Sequence, residues 1–286
     1  MSQKRLKKLF RKRLDSPLTL KGFCEYEGIN DRTFRRKVRE YWQEEVIPRK
    51  FSISNQIIVI DAKRLRRDCC LFVMRTPERV ITWGYYQVES YGNWYQFLSS
   101  VYGQPLAVVC DGQKGILKAI RELYPRTYIQ RCHFHIKARN RQLLTLNPKT
   151  KAGVEFKNIV DSITRVKDKN DLNKWLKNYS NWTITYDEYL KEKTYFPIDP
   201  LYPYKGYRKG KRPWFYTHRN LRSARHQIKK SLPNLFIYLK YPDVPSTSNL
   251  LEGGINSPLE DIINRHRGLT LQKQKILIAN YLAKRQ

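Results

Sequence analysis

QIIVIDAKRLRRDCCLFVMRTPERVITWGYYQV, residues 56–88, reads as three strands in succession. QIIVID (56–61) is a continuous apolar run of strand length, the pattern of a segment buried on both faces. CCLFVMR (69–75) and RVITWGYYQV (79–88) are rich in β-branched and aromatic residues. Thr76-Pro77-Glu78 separates them as a turn would, so the pair predicts a hairpin. Downstream the pattern alternates. A helix is expected over 93–102, a buried strand in PLAVVCD (105–111), a helix from Gly112 to Tyr124, a strand in TYIQRC (127–132) and a helix over 133–146. Strands followed by alternating helix and strand give an α/β class with mixed pairing.

Residues 150–240 are helical and irregular, rich in Lys, Tyr and Trp, with no clear strand until NLFIYLKY (234–241). Within them YFPIDPLYPYKGYRKGKRPW (195–214) has the prolines and glycines of a surface loop. After Pro245, helices are expected over 250–265 and 271–284, the second capped by Thr270.

Upstream, residues 1–50 form a small helical module closed by Pro48. A basic segment (4–14) precedes Leu20, Phe23 and Tyr26, which recur at helical spacing. Gly28-Ile29-Asn30 is a turn, and Asp31 is the expected N-cap of a helix with Phe34, Val38 and Tyr41 on one face. That helix carries Arg32, Arg35, Arg36 and Arg39, as in a helix-turn-helix that lays its second helix in the major groove. The plainer alternative is a helical hairpin with a solvated basic face.

The 286 residues carry 56 Lys and Arg against 25 Asp and Glu, a net charge of +31. With 41% hydrophobic residues the chain can bury a core, so this is not a disordered basic tail. A folded protein tolerates such self-repulsion when its partner is a polyanion. The 20 tyrosines and 6 tryptophans interleaved with the basic residues suit base stacking as well as phosphate contact. A membrane-surface protein and a ribosomal-type RNA binder are the alternatives that charge alone leaves open. No stretch approaches the roughly 20 apolar residues of a bilayer span, and MSQKRLKKLFRKR (1–13) lacks the apolar segment of a secretory signal. Five cysteines without framework spacing predict free thiols in a reducing cytosol.

Two apolar strands end in an aspartate, IIVID at Asp61 and AVVCD at Asp111. Such positions lie at the carboxyl edge of the sheet, where open α/β proteins build their sites. Acidic residues also commonly begin loops. A strongly basic chain that sets two carboxylates together is most simply explained by a cation, and hard Mg²⁺ (or Mn²⁺) takes oxygen ligands. Two such ions about 4 Å apart serve phosphoryl transfer. For a third carboxylate the best candidate is Glu252 in STSNLLEGGINS, with Ser246, Thr247 or Ser248 as helix cap. Gly253-Gly254 is costly in a helix and would make sense if a phosphate must approach closely. Glu260 and Asp261, in an amphipathic run, are rivals. Trp175, Trp182 and Trp214 read as core of the helical region rather than as platforms for a displaced base. Lys205, Arg208, Lys209, Lys211 and Arg212, interleaved with aromatic residues, read as phosphate contacts.

CDGQKGILKAIRELYPRTYIQRCHFHIKARN (110–140) and PSTSNLLEGGINSPLEDIINRHRGLT (245–270) together resemble the Mutator-type bacterial insertion-sequence transposases, over roughly 57–285. The shared features are an Asp-Gly that begins a helix, a Cys-x-x-His, an Arg-Asn pair and a Ser/Thr-rich lead to a helical Glu. The resemblance implies a ribonuclease H-like mixed-sheet core with an all-helical insertion and the helix-turn-helix ahead of it. It makes Asp61, Asp111 and Glu252 the catalytic, metal-binding triad, with two Mg²⁺ or Mn²⁺ ions per active site. The separation 252 − 111 = 141 is long for a compact core, and the helical stretch fills it. Cys132 and His135 match the Cys-x-x-His. One pair supplies two of the four ligands of a structural zinc site, so their expected role is hydrogen bonding and packing behind the active site. Arg139 and Asn140 are expected to meet DNA.

The expected segments are 1–50 (helix-turn-helix), 51–146 (first part of the core), 147–245 (mainly helical insertion) and 246–286 (remainder of the core). The expected function is metal-dependent cleavage at transposon ends and strand transfer into target double-stranded DNA. A dimer or larger assembly without membrane contact, in a bacterial cytoplasm and associated with the nucleoid, goes with it. An inactive transposase-derived DNA-binding regulator and a structure-selective nuclease of the same fold are the rivals.

Overall fold

The computed structural model of the chain describes residues 2–196 and 213–286. The chain divides into two compact units, Met1–Ile129 with Ser248–Gln286, and Gln130–Thr247. No helix among the described residues is long and apolar enough to cross a membrane.

The first unit opens with α1 (Gln3–Asp15), α2 (Leu20–Tyr26) and α3 (Asp31–Lys37), followed by a 3₁₀ turn over Glu40–Gln43. Asn30, not Asp31, caps α3: its side chain accepts from the Thr33 N–H at 3.1 Å, and Asp31 falls in the first turn. Gly28 supplies the turn between α2 and α3 with φ +63°. Phe34, Val38 and Tyr41 are buried as their spacing predicts.

A five-stranded sheet follows, built from β1 (Ile57–Arg66), β2 (Cys69–Arg75), β3 (Val80–Tyr86), β4 (Ala107–Cys110) and β5 (Tyr128–Arg131) in the order β3-β2-β1-β4-β5. β1 pairs antiparallel with β2, β2 antiparallel with β3, and β1 parallel with β4, so the sheet is mixed. α4 (Tyr91–Ser99) and α5 (Lys114–Leu123) cover one face. Their core takes alternate strand residues: Ile58 and Ile60, Phe72 and Met74, Val108 and Cys110. Phe72 stacks on Trp94 at 3.9 Å and meets Phe97 edge-on at 5.6 Å. Each such pair adds roughly 0.5–1.5 kcal/mol beyond its burial.

In the second unit α6 (His133–Leu144), α7 (Lys151–Asp161) and α8 (Lys169–Thr185) precede a ribbon of β6 (Lys193–Tyr195) and β7 (Trp214–Tyr216), and α9 (Arg219–Ser231) follows. The ribbon departs from an all-helical insertion. Its Lys-Thr-Tyr and Trp-Phe-Tyr triplets, with β-branched and aromatic side chains, favour extended backbone. NLFIYLKY lies in 3₁₀ turns over Leu232–Asn234 and Ile237–Leu239 rather than in a strand. The Gln130 side chain accepts from the Ile237 N–H at 2.9 Å, so a side chain takes a bond that a sheet ladder would supply. Trp175 and Trp182 sit in the core at 3% exposure, with indole N–H groups donating to the carbonyls of Ile159 and Ala152. Both are structural.

The first unit closes with α10 (Asn249–Leu251), a five-residue π turn (Glu252–Asn256), α11 (Ser257–Arg265) and α12 (Leu271–Ala283), the last capped by Thr270. Leu277 of α12 is buried in one cluster with Phe10, Phe23, Phe34 and Val38, so the N-terminal helices share a core with the end of the chain.

Candidate active site

Strand register brings the two aspartates together. Along β1 and β4 the pairs are Ile57 with Ala107, Ile58 with Val108 and Val59 with Val109, a constant offset of 107 − 57 = 50. Carried two residues further, one residue past the end of β4, the same offset matches Asp111 to Asp61, since 111 − 61 = 50. Adjacent strands run about 4.8 Å apart, and in-register side chains leave the same face. Both aspartates have the parity of Val59 and Val109, opposite to the residues under α4 and α5, and both are half-buried.

Asp61 does not end its strand, as the apolar run suggested. β1 continues to Arg66 against β2, and only the burial changes at Asp61. Beyond that point β1 no longer lies against β4, so its residues need not be apolar. Asp111 directly follows β4, whose last residue is Cys110. Gly112 turns the chain with φ +74°, and Asp111 Oδ1 accepts the Gln113 N–H at 3.0 Å just before α5. Gln113 also donates from Nε2 to Glu89 at 2.9 Å.

Glu252 begins the π turn. The Ser257 N–H bonds back to the Glu252 carbonyl, a five-residue step in place of four. Ser248 holds the N-cap position of α10 without capping through its side chain. Its hydroxyl, 1% exposed as a residue, donates instead to Glu252 Oε1 at 3.1 Å. One turn on, Asn256 Nδ2 donates to Asp61 Oδ2 at 3.1 Å. The segment carrying Glu252 is therefore bonded to an aspartate of the sheet.

Arg75, the last residue of β2, clamps the same segment. Its Nη1 donates to the Leu250 carbonyl at 2.7 Å, while Nε donates to the Thr76 carbonyl and Nη2 to the Pro77 carbonyl, both at 2.8 Å. A Cβ on Gly254 would stand 3.0 Å from Arg75 Nη1. The close neighbour at the glycine pair is thus a guanidinium of the chain itself. Neither Asn256 nor Arg75 was singled out from sequence. No local sequence signal marks either, since their partners lie 175 and 195 residues away.

Residues 78–196 match the family model described as transposase, Mutator family. The match supports a Mutator-type transposase. No curated protein matches the chain. Asp111, Cys132, His135, Arg139 and Asn140 fall inside the segment matching the family, and Asp61 and Glu252 outside it.

Of the rival carboxylates, Glu260 forms an ion pair with Lys63 at 2.7 Å, which pulls its pKa down, and Asp261 is exposed. Arg32, Arg35, Arg36 and Arg39 are all exposed on and just after α3, Arg35 lying 3.5 Å from Asp31. In the second unit Arg139 is exposed and bonds Gln142 at 3.0 Å. Asn140 does not face outward, as DNA contact requires. It is 3% exposed, and its amide donates to the Ile136 carbonyl and to Gln227, both at 3.0 Å. The reason is periodicity: Asn140 lies one turn beyond Ile136, on the core face of α6.

Cys132 is buried at the N-cap of α6, and His135 is half-buried in its first turn. His133, between them, is fully buried and bonds the Leu235 carbonyl at 2.7 Å through Nε2. Burial lowers its pKa to about 4, so the ring is neutral and Nε2 donates. Trp214 lies half-buried in β7 beneath Lys193 Nζ, 4.4 Å from the ring. Lys205, Arg208, Lys209, Lys211 and Arg212 lie outside the described residues.

Proposed function

We propose that the chain is a metal-dependent DNA transposase on a ribonuclease H-like core, with Asp61, Asp111 and Glu252 as its catalytic carboxylates. The observation that carries this reading is the convergence of register-matched Asp61 and Asp111 with the π-turn segment of Glu252, through the bond from Asn256 to Asp61. The sheet order, with an antiparallel β1-β2-β3 meander and β4 parallel to β1, supports the fold assignment.

Three carboxylates offer hard oxygen donors and no thiolate, a set that fits Mg²⁺ or Mn²⁺. When bound, the ions supply Lewis acidity to the attacking and leaving oxygens of phosphoryl transfer. The protein's part is to hold its carboxylates. The strands set the spacing of Asp61 and Asp111, Asn256 fixes one Asp61 oxygen, and the Ser248 hydroxyl orients Glu252. Water is the nucleophile at the element end, breaking the P–O bond to release a 3′-hydroxyl. That hydroxyl then attacks a target phosphodiester, forming one P–O bond as another breaks. The exposed arginines of α3 hold DNA phosphates or base edges. Paired ends call for a two-fold assembly.

The test uses the purified chain, Mg²⁺ or Mn²⁺, and a duplex carrying the inverted repeats that flank its coding region. Cleavage and joining are expected, and Asp111→Asn should abolish both while leaving DNA binding intact. A wild type that binds but never cuts under either metal would make the chain a regulator. Hydrolysis without joining would make it a nuclease.

A further inference from the structure

The N-terminal helices and the α11–α12 turn enclose a cavity of about 670 Å³ that the chemistry above leaves unused. At its wall stands Arg13, whose residue is 5% exposed. A guanidinium taken from water normally sits against a carboxylate, because an unpaired buried charge loses its hydration without return. Arg13 forms no ion pair among the described residues. Its hydrogen-bonding partner is the ring of His266, with 3.2 Å between Nη1 and Nε2.

That partner carries no negative charge. Arginine has only donors, so His266 Nε2 must accept. Burial, reinforced by Arg13, lowers the imidazole pKa to about 4, outweighing the opposing effect of the Leu14 backbone. Nearby Cys24 is no counter-ion either, since burial pushes its thiol pKa up. Asp15, exposed at the end of α1, is engaged by Lys284. The remaining charged lining has the same sign as Arg13. Arg35, Arg265, Arg267 and Lys273 line the cavity, and no Asp or Glu does. Lys273 Nζ lies 5.8 Å over the ring of Trp42, also on the wall.

We propose that this cavity is a phosphate-binding site in which Arg13 receives the anion between the α1 and α11–α12 walls. A phosphate supplies the acceptor oxygens that a guanidinium fork matches and that Arg13 lacks. The phosphate can come from a DNA backbone or from the free anion. The DNA source rests on the transposase reading; the site itself does not.

Two arms separate these. In the first, the thermal midpoint of the full chain is measured in inorganic phosphate and in chloride at equal ionic strength and pH. Phosphate should raise the midpoint by several degrees in the wild type and by far less in Arg13→Met, whose side chain can fill the same apolar wall. An equal rise in both overturns the proposal, because a generally basic surface explains it. If Arg13→Met does not fold, the exposed pair Arg265→Gln and Arg267→Gln replaces it, and an undiminished phosphate response again overturns the site. In the second arm, duplex DNA is titrated at several salt concentrations. Loss of one phosphate contact should weaken binding about tenfold and flatten the salt slope by about one. A phosphate response lost in Arg13→Met with DNA affinity unchanged keeps the site and assigns it to the free anion. A phosphate response with no DNA binding by the wild type sinks the transposase reading and leaves the site standing.

Discussion

Asp61 and Asp111 are placed by backbone, whereas Glu252 is placed by side chains. Two parallel strands with a fixed offset put the aspartates side by side, and the ladder bonds that fix the offset are indifferent to the side chains they carry. Residues 248–256 have no ladder. A three-residue helix runs into a π turn over two glycines, and the segment is held by Arg75, Ser248 and Asn256. Changes at the strand edge should therefore alter chemistry and spare the fold. Changes in the clamp should alter position, and with it both stability and chemistry.

The largest expected effect belongs to the strand edge. Asp61→Asn and Asp111→Asn should each lower DNA cleavage about a thousandfold or more, the scale for removing a group that stabilises transition-state charge. The urea midpoint should stay within about 0.5 kcal/mol of wild type, as for a change that keeps shape. A large drop in stability at Asp111 would show that its bond to the Gln113 N–H matters more to the fold than the strand argument allows. Arg75→Met comes next. Three bonds from a charged donor to carbonyls are lost, costing roughly 2–3 kcal/mol in urea unfolding. Unchanged stability would mean that π-turn placement is set by backbone after all.

The same contrast separates what the sequence makes legible from what it hides. Apolar runs of strand length reveal β1, β2, β3 and β4, and the aspartates follow because a strand-end acid is a local pattern. The continuation of β1 to Arg66 is hidden, since KRLRRD is polar and its strand state comes from β2 alone. Glu252 is hidden among Glu260 and Asp261 for a different reason. On a regular helix the three acids are told apart only by what packs against them, and the partners Lys63, Asp61 and Arg75 lie 175–197 residues away in sequence. Asn140 misleads in the opposite direction: an Arg-Asn pair looks polar and therefore exposed, yet α6 turns its asparagine into the core. Only Asn30, one residue before the expected cap, is a miss that local chemistry could have avoided.

Asn256→Ala sharpens the comparison at smaller scale. It removes the bond from the π turn to Asp61 while leaving every carboxylate in place. If that amide positions Asp61, cleavage should fall about tenfold, the worth of one hydrogen bond to a charged acceptor. The loss should be recovered in part by Asn256→Gln and not by Asn256→Leu. Equal rates for the leucine and glutamine variants would reduce Asn256 to packing.

The smallest effect lies in the glycine pair, where the two members should respond with opposite sign. A Cβ on Gly253 meets nothing within 4 Å, and the residue lies in helical backbone without positive φ. Gly253→Ala should therefore stabilise the chain by about 0.5–1 kcal/mol, because alanine gives up less chain entropy on folding. A Cβ on Gly254 meets Arg75 Nη1 at 3.0 Å. Arginine tips usually swing aside, but this one is held at all three nitrogens by carbonyls, so the strain should exceed the entropic gain and Gly254→Ala should destabilise. In an Arg75→Met background that penalty should shrink, which a double-mutant cycle in urea measures directly. A penalty that persists without the guanidinium would place the constraint in the π turn's own backbone. A Gly253→Ala variant that is more stable yet cleaves DNA poorly would point to the close approach of a phosphate at that glycine, for which the open space beside Gly253 leaves room.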